Sequence, residues 1–96
     1  MARYDIWNLE VPEAVEDHMW RHRITAELVD SVLDGDYIVR PNRANDRAAT
    51  HILIGRDRRG RCIADPIIES DVPGSWRVVT AWPCKTREWD ELRRRG

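Results

Sequence analysis

Apolar residues recur at helical spacing in the first third of the chain and at strand spacing in the rest. Val11, Ala14, Val15, His18, Met19 and His22 fall on one broad face, and Leu28, Val29, Val32 and Leu33 form a second stripe. Both stretches carry start signals. Pro12 suits a first helical turn, with Glu13, Glu16 and Asp17 near the positive end, and Thr25 suits an N-cap with Glu27 behind it. Asp34-Gly35-Asp36 ends the second helix. Short strands are predicted over residues 3–7, 37–39, 49–55, 61–70 and 75–82, and a closing helix over 84–95. Residues 41–47 read as a polar loop, and 56–60 and 71–74 as turns. Pro66 implies an edge or a bulge in its strand, and Pro83 stops the last one. The order is β-α-α-β-β-β-β-α: an α+β domain over residues 1–96, two helices packed on a small antiparallel sheet, with a C-terminal helix.

At 96 residues and 42% hydrophobic, the chain can build one core and not two. No apolar run approaches the ~20 residues of a membrane span, and no apolar stretch follows a basic start as in a secretory signal. Cys62 and Cys84 make neither a disulfide framework nor a zinc-ligand pair. A cytoplasmic protein is the expectation. The net charge of −1 conceals a split. Residues 1–39 carry three cations against nine carboxylates, whereas residues 40–96 carry thirteen cations against eight. Fifteen of the sixteen cations are arginine, the side chain that forks onto phosphates and stacks on bases. The acidic face of residues 13–36 is either solvated helix or a docking surface; the basic part suits a polyanion.

Candidate chemistry follows from three histidines and the arginines. His18 and His22 share a helical face beside Met19, and no further ligands stand at metal-binding spacing, so neither metal nor cofactor is expected. His51 alternates with Ile52 and Ile54, on the same side as Leu53 and Gly55, the less apolar face. Arg56, Arg58, Arg59 and Arg61 bracket a hairpin turn with only Asp57 nearby to neutralise them. Arg77 stands mid-strand, where a charge is costly unless it is paired or faces a groove. Strict alternation puts Thr80, Trp76 and Trp82 on the opposite face from Arg77, so joint use of Arg77 and Thr80 requires a twist or a bulge. This inventory can sustain phosphodiester cleavage: a 2′-hydroxyl attacks, a His moves the proton and an Arg stabilises the transition state. The same residues would also serve a module that only binds nucleic acid or an acidic protein.

Three stretches, Trp20-Arg21-His22-Arg23-Ile24-Thr25, Ile54-Gly55-Arg56-Asp57 with Arg59-Gly60-Arg61, and Arg77-Val78-Val79-Thr80-Ala81 leading to Lys85-Thr86-Arg87-Glu88, stand in an order and spacing that resembles the BrnT family. These are RelE-like ribonuclease toxins of type II toxin–antitoxin pairs. Arg23 replaces the family's Gly after His22, and Trp82-Pro83-Cys84 intervenes before Lys85. The ending is also similar to the wider group of barnase-, EndoU- and RelE-like toxin domains, including delivered ones. The resemblance implies a RelE-like fold and a small, metal-independent endoribonuclease that halts translation, on RNA free or ribosome-bound. A cognate antitoxin would neutralise it within a hetero-oligomer. By carry-over the catalytic candidates are His22, Arg56, Arg61, Arg77 and Thr80, and His51 joins them from the residue reading alone. Arg58, Arg59, Arg61, Lys85 and Arg87 are the expected RNA contacts.

Overall fold

Thr25 caps a helix as its position predicts: its hydroxyl accepts the Leu28 N–H at 3.2 Å. In the computed structural model, which describes residues 6–43 and 48–95, that helix is α2 (Ala26–Ser31). It follows α1 (Glu13–Met19) and a 3₁₀ turn over Trp20–His22. The strands are β1 (Asn8–Glu10), β2 (Tyr37–Pro41), β3 (His51–Arg56), β4 (Cys62–Glu69), β5 (Ser75–Val78) and β6 (Trp82–Pro83), and α3 (Thr86–Arg95) closes the chain. The fold is α+β, with three helices and a six-stranded sheet among the described residues.

The sheet runs β1-β5-β4-β3-β2, with β6 also on β4. It is mixed and not wholly antiparallel, because β1 pairs with β5 in parallel through Asn8–Ser75, Leu9–Trp76 and Glu10–Arg77. The first strand therefore lies beyond the 3–7 segment; residues 3–5 are outside the described part. Trp7 instead lies over Gly74, whose φ of +84° and lack of a Cβ admit the indole. Of the 41–47 loop, Pro41 belongs to β2 and residues 44–47 lie outside the described part.

Both faces of the sheet are covered. Beneath α1 and α2, Met19, Ile24, Val29 and Val32 pack on Leu53, Ile63, Ile67, Trp76 and Val78. On the other face, Leu92 and Trp89 of α3 pack with Ile52, Ile54, Cys62 and Ala64. Each buried Leu or Ile contributes about 1.5–3 kcal/mol. His51 thus points toward the larger core and stands edge-on to Trp76, 5.2 Å between ring centroids. His18 and His22, expected beside Met19, are exposed while Met19 is fully buried. His18 is still in α1, about 100° round the helix from Met19, and His22 lies in the 3₁₀ turn, off the α-helical spacing.

The predicted strand over 75–82 is two strands. Along β4, Ile67 pairs with Val78, but Ala64 pairs with Trp82, so the second partner is one residue out of step with the first. A bulge between Val78 and Trp82 absorbs that residue. It falls opposite Pro66, whose carbonyl accepts the Val79 N–H at 2.9 Å and which has no N–H to return. Pro66 therefore marks a bulge and not an edge: β4 is flanked on both sides. The slip turns Trp82 to the α3 face while Trp76 stays on the α1–α2 face, so the two do not share a side. It also aligns Cys84 with Cys62. The Cys84 N–H donates to the Cys62 carbonyl at 2.9 Å, and the two cysteines form a disulfide with a Cα separation of 5.3 Å, contrary to expectation.

Asp65 is fully buried on the α1–α2 face, and neither carboxylate oxygen has a hydrogen-bond partner. Burial pushes its pKa well above the ordinary value. The folded chain therefore holds this proton while an unfolded chain releases it near pH ~3.9. Stability attributable to Asp65 is intact below that pH and falls as pH rises toward the folded pKa, because the folded state binds the extra proton. Asp65→Asn is expected to flatten this fall, raising the melting temperature at pH 7 more than at pH 4; an equal shift at both pH values would refute the assignment.

Candidate nucleic-acid interface

The hairpin arginines are divided among different tasks. Asp57, itself buried, accepts the backbone N–H groups of Arg59 and Arg61 through Oδ1, at 2.9 and 3.0 Å, and so shapes the β3–β4 turn. Gly60, at φ +84°, completes it. The Arg61 guanidinium reaches back 2.9 Å to the carbonyls of both His22 and Arg23. Arg23 holds a left-handed backbone at φ 57°, which for a non-glycine residue costs on the order of 1 kcal/mol, and Arg61 braces the turn that imposes it. Arg58 pairs with exposed Glu27 at 3.2 Å, so Asp57 is not the only neighbouring acid. Arg56 lies over the Trp89 ring, 5.1 Å from its centroid.

The candidate catalytic residues do not form one centre. Arg56 pairs with Cys62 and Arg77 with Ile68, six positions apart along β4, which is about 20 Å of strand. His22, Arg56, Arg58, Arg59 and Arg61 belong to the hairpin end of the molecule. His51, Arg77 and Thr80 belong to the opposite end, where His51 lies opposite Ile67 and Ile67 opposite Val78. His51 faces the α1–α2 core, and its Nδ1 is 2.8 Å from the Thr50 hydroxyl.

At that second end the bulge resolves the parity problem. Counted forward from Val78, Arg77 lies on the α3 face; counted back from Trp82, so does Thr80. On this face a groove of about 410 Å³ runs between α3 and the sheet, lined by Arg40, Asn42, Arg43, Ile52, Trp82, Arg87, Glu88 and Glu91. Both of its carboxylates are engaged. Glu88 accepts the Trp82 indole N–H at 3.2 Å and the Lys85 backbone N–H at 2.8 Å, half of a capping box. Glu91 holds Arg40 at 2.7 Å. Among the described residues no ion pair engages Arg43, Arg77 or Arg87, and all three are exposed. Lys85 is exposed one residue before α3.

Arg40 and Arg43 were not among the sequence candidates. Arg40 carries the same signal as Arg77, a charge against a β-type apolar run, but it stands one residue beyond the strand predicted over 37–39; β2 continues to Pro41. A second cleft of about 680 Å³ holds Arg56, Arg58 and Arg93 with Asp34, Asp36 and Asp57, a balanced set poorly matched to a polyanion. No three His, Cys, Asp or Glu side chains gather as metal ligands among the described residues. No helix among them is long and apolar enough to cross a membrane. No family model matches the chain, and no curated protein matches it.

Arg61→Ala removes two hydrogen bonds from a partly exposed guanidinium and is expected to cost about 1–2 kcal/mol. Adding Arg23→Gly should recover part of it by relieving the left-handed residue. Chemical denaturation of the two variants checks this, and an unchanged midpoint for Arg61→Ala would show the brace to be idle.

Proposed function

We propose that the chain is an endoribonuclease of the toxin type that binds RNA on the α3 face, with Arg77 at its centre. One observation carries this reading: the bulge brings Arg77, Thr80 and Trp82 to one face, the face of the groove, where Glu91 is paired with Arg40 and Glu88 is hydrogen-bonded to Trp82 and Lys85. RNA phosphates would meet Arg43, Arg77 and Arg87, and an unpaired base would stack on Trp82. Arg77 would stabilise charge on the phosphorane-like transition state formed by 2′-hydroxyl attack. Thr80 would relay a proton on this face, and no step needs a metal; His51, whose ring lies on the other face of the sheet, has no part in this centre. His22, Arg56 and Arg61 lie at the far end of β4 and have no part in this centre. Inhibition of translation, ribosome-bound RNA as substrate and an antitoxin partner belong to the proposal through the family resemblance, as does a RelE-like identity for the fold.

A second reading is an RNA-binding module without cleavage. It is favoured by the placement of His51, whose ring packs against Trp76 on the opposite face from Arg77.

The two separate on one substitution. Cleavage by the folded protein should leave 2′,3′-cyclic phosphate ends, and Arg77→Ala should slow it about 100-fold or more while RNA binding weakens far less. Intact RNA after incubation, with and without ribosomes, would overturn the enzyme and leave the module if binding persists. Loss of binding as well, at low salt, would remove both.

A further inference from the structure

α3 is held to the sheet by few contacts. Of its ten residues only Trp89 and Leu92 are apolar, and a helix this short does not stand alone in water. Among the described residues its non-covalent ties are the packing of Leu92 and Trp89 on the sheet, the Trp82–Glu88 bond, the Arg40–Glu91 pair and the Arg56–Trp89 stack. The segment leading into it is a two-residue strand. One covalent tie remains, the Cys62–Cys84 disulfide, which links the first residue of β4 to the residue two places before α3. Cys62 is buried and Cys84 half-buried, so a reducing thiol has access at Cys84.

We propose that the Cys62–Cys84 disulfide is a reversible redox site that latches α3 and thereby assembles the groove; the part concerning RNA rests on the reading above. A dithiol reductant attacks Sγ of Cys84 as thiolate, the Sγ–Sγ bond breaks, and Cys62 leaves as thiolate and takes a proton. The reagent's second thiol then displaces Cys84, closing a cyclic disulfide. The dithiol supplies both electrons. With the latch open, α3 loosens and Arg87, Glu88 and Glu91 leave Arg40, Arg43 and Trp82. The groove is then complete while the disulfide is formed and dismantled when it is reduced.

The test uses the whole chain, oxidised or treated with dithiothreitol, with free thiols counted by alkylation and mass. Hydrogen exchange reads residues 86–94, and fluorescence anisotropy reads binding of a short single-stranded oligoribonucleotide. Reduction should speed exchange over residues 86–94 by about tenfold or more and leave Leu53 and Ile63 protected. RNA affinity should fall about tenfold with loss of the Arg87 side of the groove. Cys84→Ser should match the reduced chain and no longer respond to dithiothreitol; if that variant does not fold, reduction of the unaltered chain decides. Unchanged exchange over 86–94 with both thiols alkylated would overturn the latch. A loosened α3 with unchanged RNA affinity would overturn control of the groove. A loosened α3 with no RNA affinity in either state would uphold the latch and sink the RNA reading.

Discussion

Pro66 has no N–H to give to the strand beside it, and β4 changes partner at that residue. On one edge β4 pairs with β3 along six residues; on the other it must serve β5 and then β6, one residue out of step. A side chain's face alternates with every residue, so a single inserted position reverses everything that follows. Trp82 turns to α3, where its indole meets Glu88, and Cys84 comes alongside Cys62. In the unshifted register Cys84 would oppose Arg61, and no disulfide would form. The way α3 meets the sheet depends on this slip.

The arginines show how little a charge count says about function. Arg61 is a strut, holding two backbone carbonyls under a left-handed residue. Arg40 pins β2 to α3 through Glu91, and Arg56 rests on Trp89. These guanidiniums are occupied by the fold and would have to break contacts to take up a phosphate. Arg43, Arg77 and Arg87 carry no such duty among the described ion pairs, and they lie on the face that the bulge organises.

The two sides of the sheet differ in charge as well as in cover. Exposed Glu13, Glu16, Asp17, Glu27 and Asp30 belong to α1 and α2, with exposed Arg21 and Arg23 in the turn between them, whereas exposed Arg77, Arg87, Arg93 and Arg94 belong to the α3 side, with exposed Asp90 among them. A polyanion approaching such a molecule is repelled from one side and drawn to the other, so the charge split along the chain becomes a direction in space. Glu16 also has a local task, accepting the Ala26 N–H at the start of α2.

Local rules were enough to find the helix starts, the turns and most strands, because capping, glycine conformation and apolar spacing act within a few residues. Thr25, Gly60 and the alternation around Ile52–Leu53–Ile54 are cases where the residue and its neighbours suffice. The sequence also marked Pro66 as a disturbance and the 75–82 run as problematic for Arg77 and Thr80. It did not join these two signs, since the bulge exists only where β4 meets both β5 and β6. The same limit hid the disulfide, the parallel pairing of β1 and the roles of Arg40 and Arg43. Each depends on which strand lies beside which, and that is decided by burying two apolar faces at once, a condition on the whole chain that no window of residues contains.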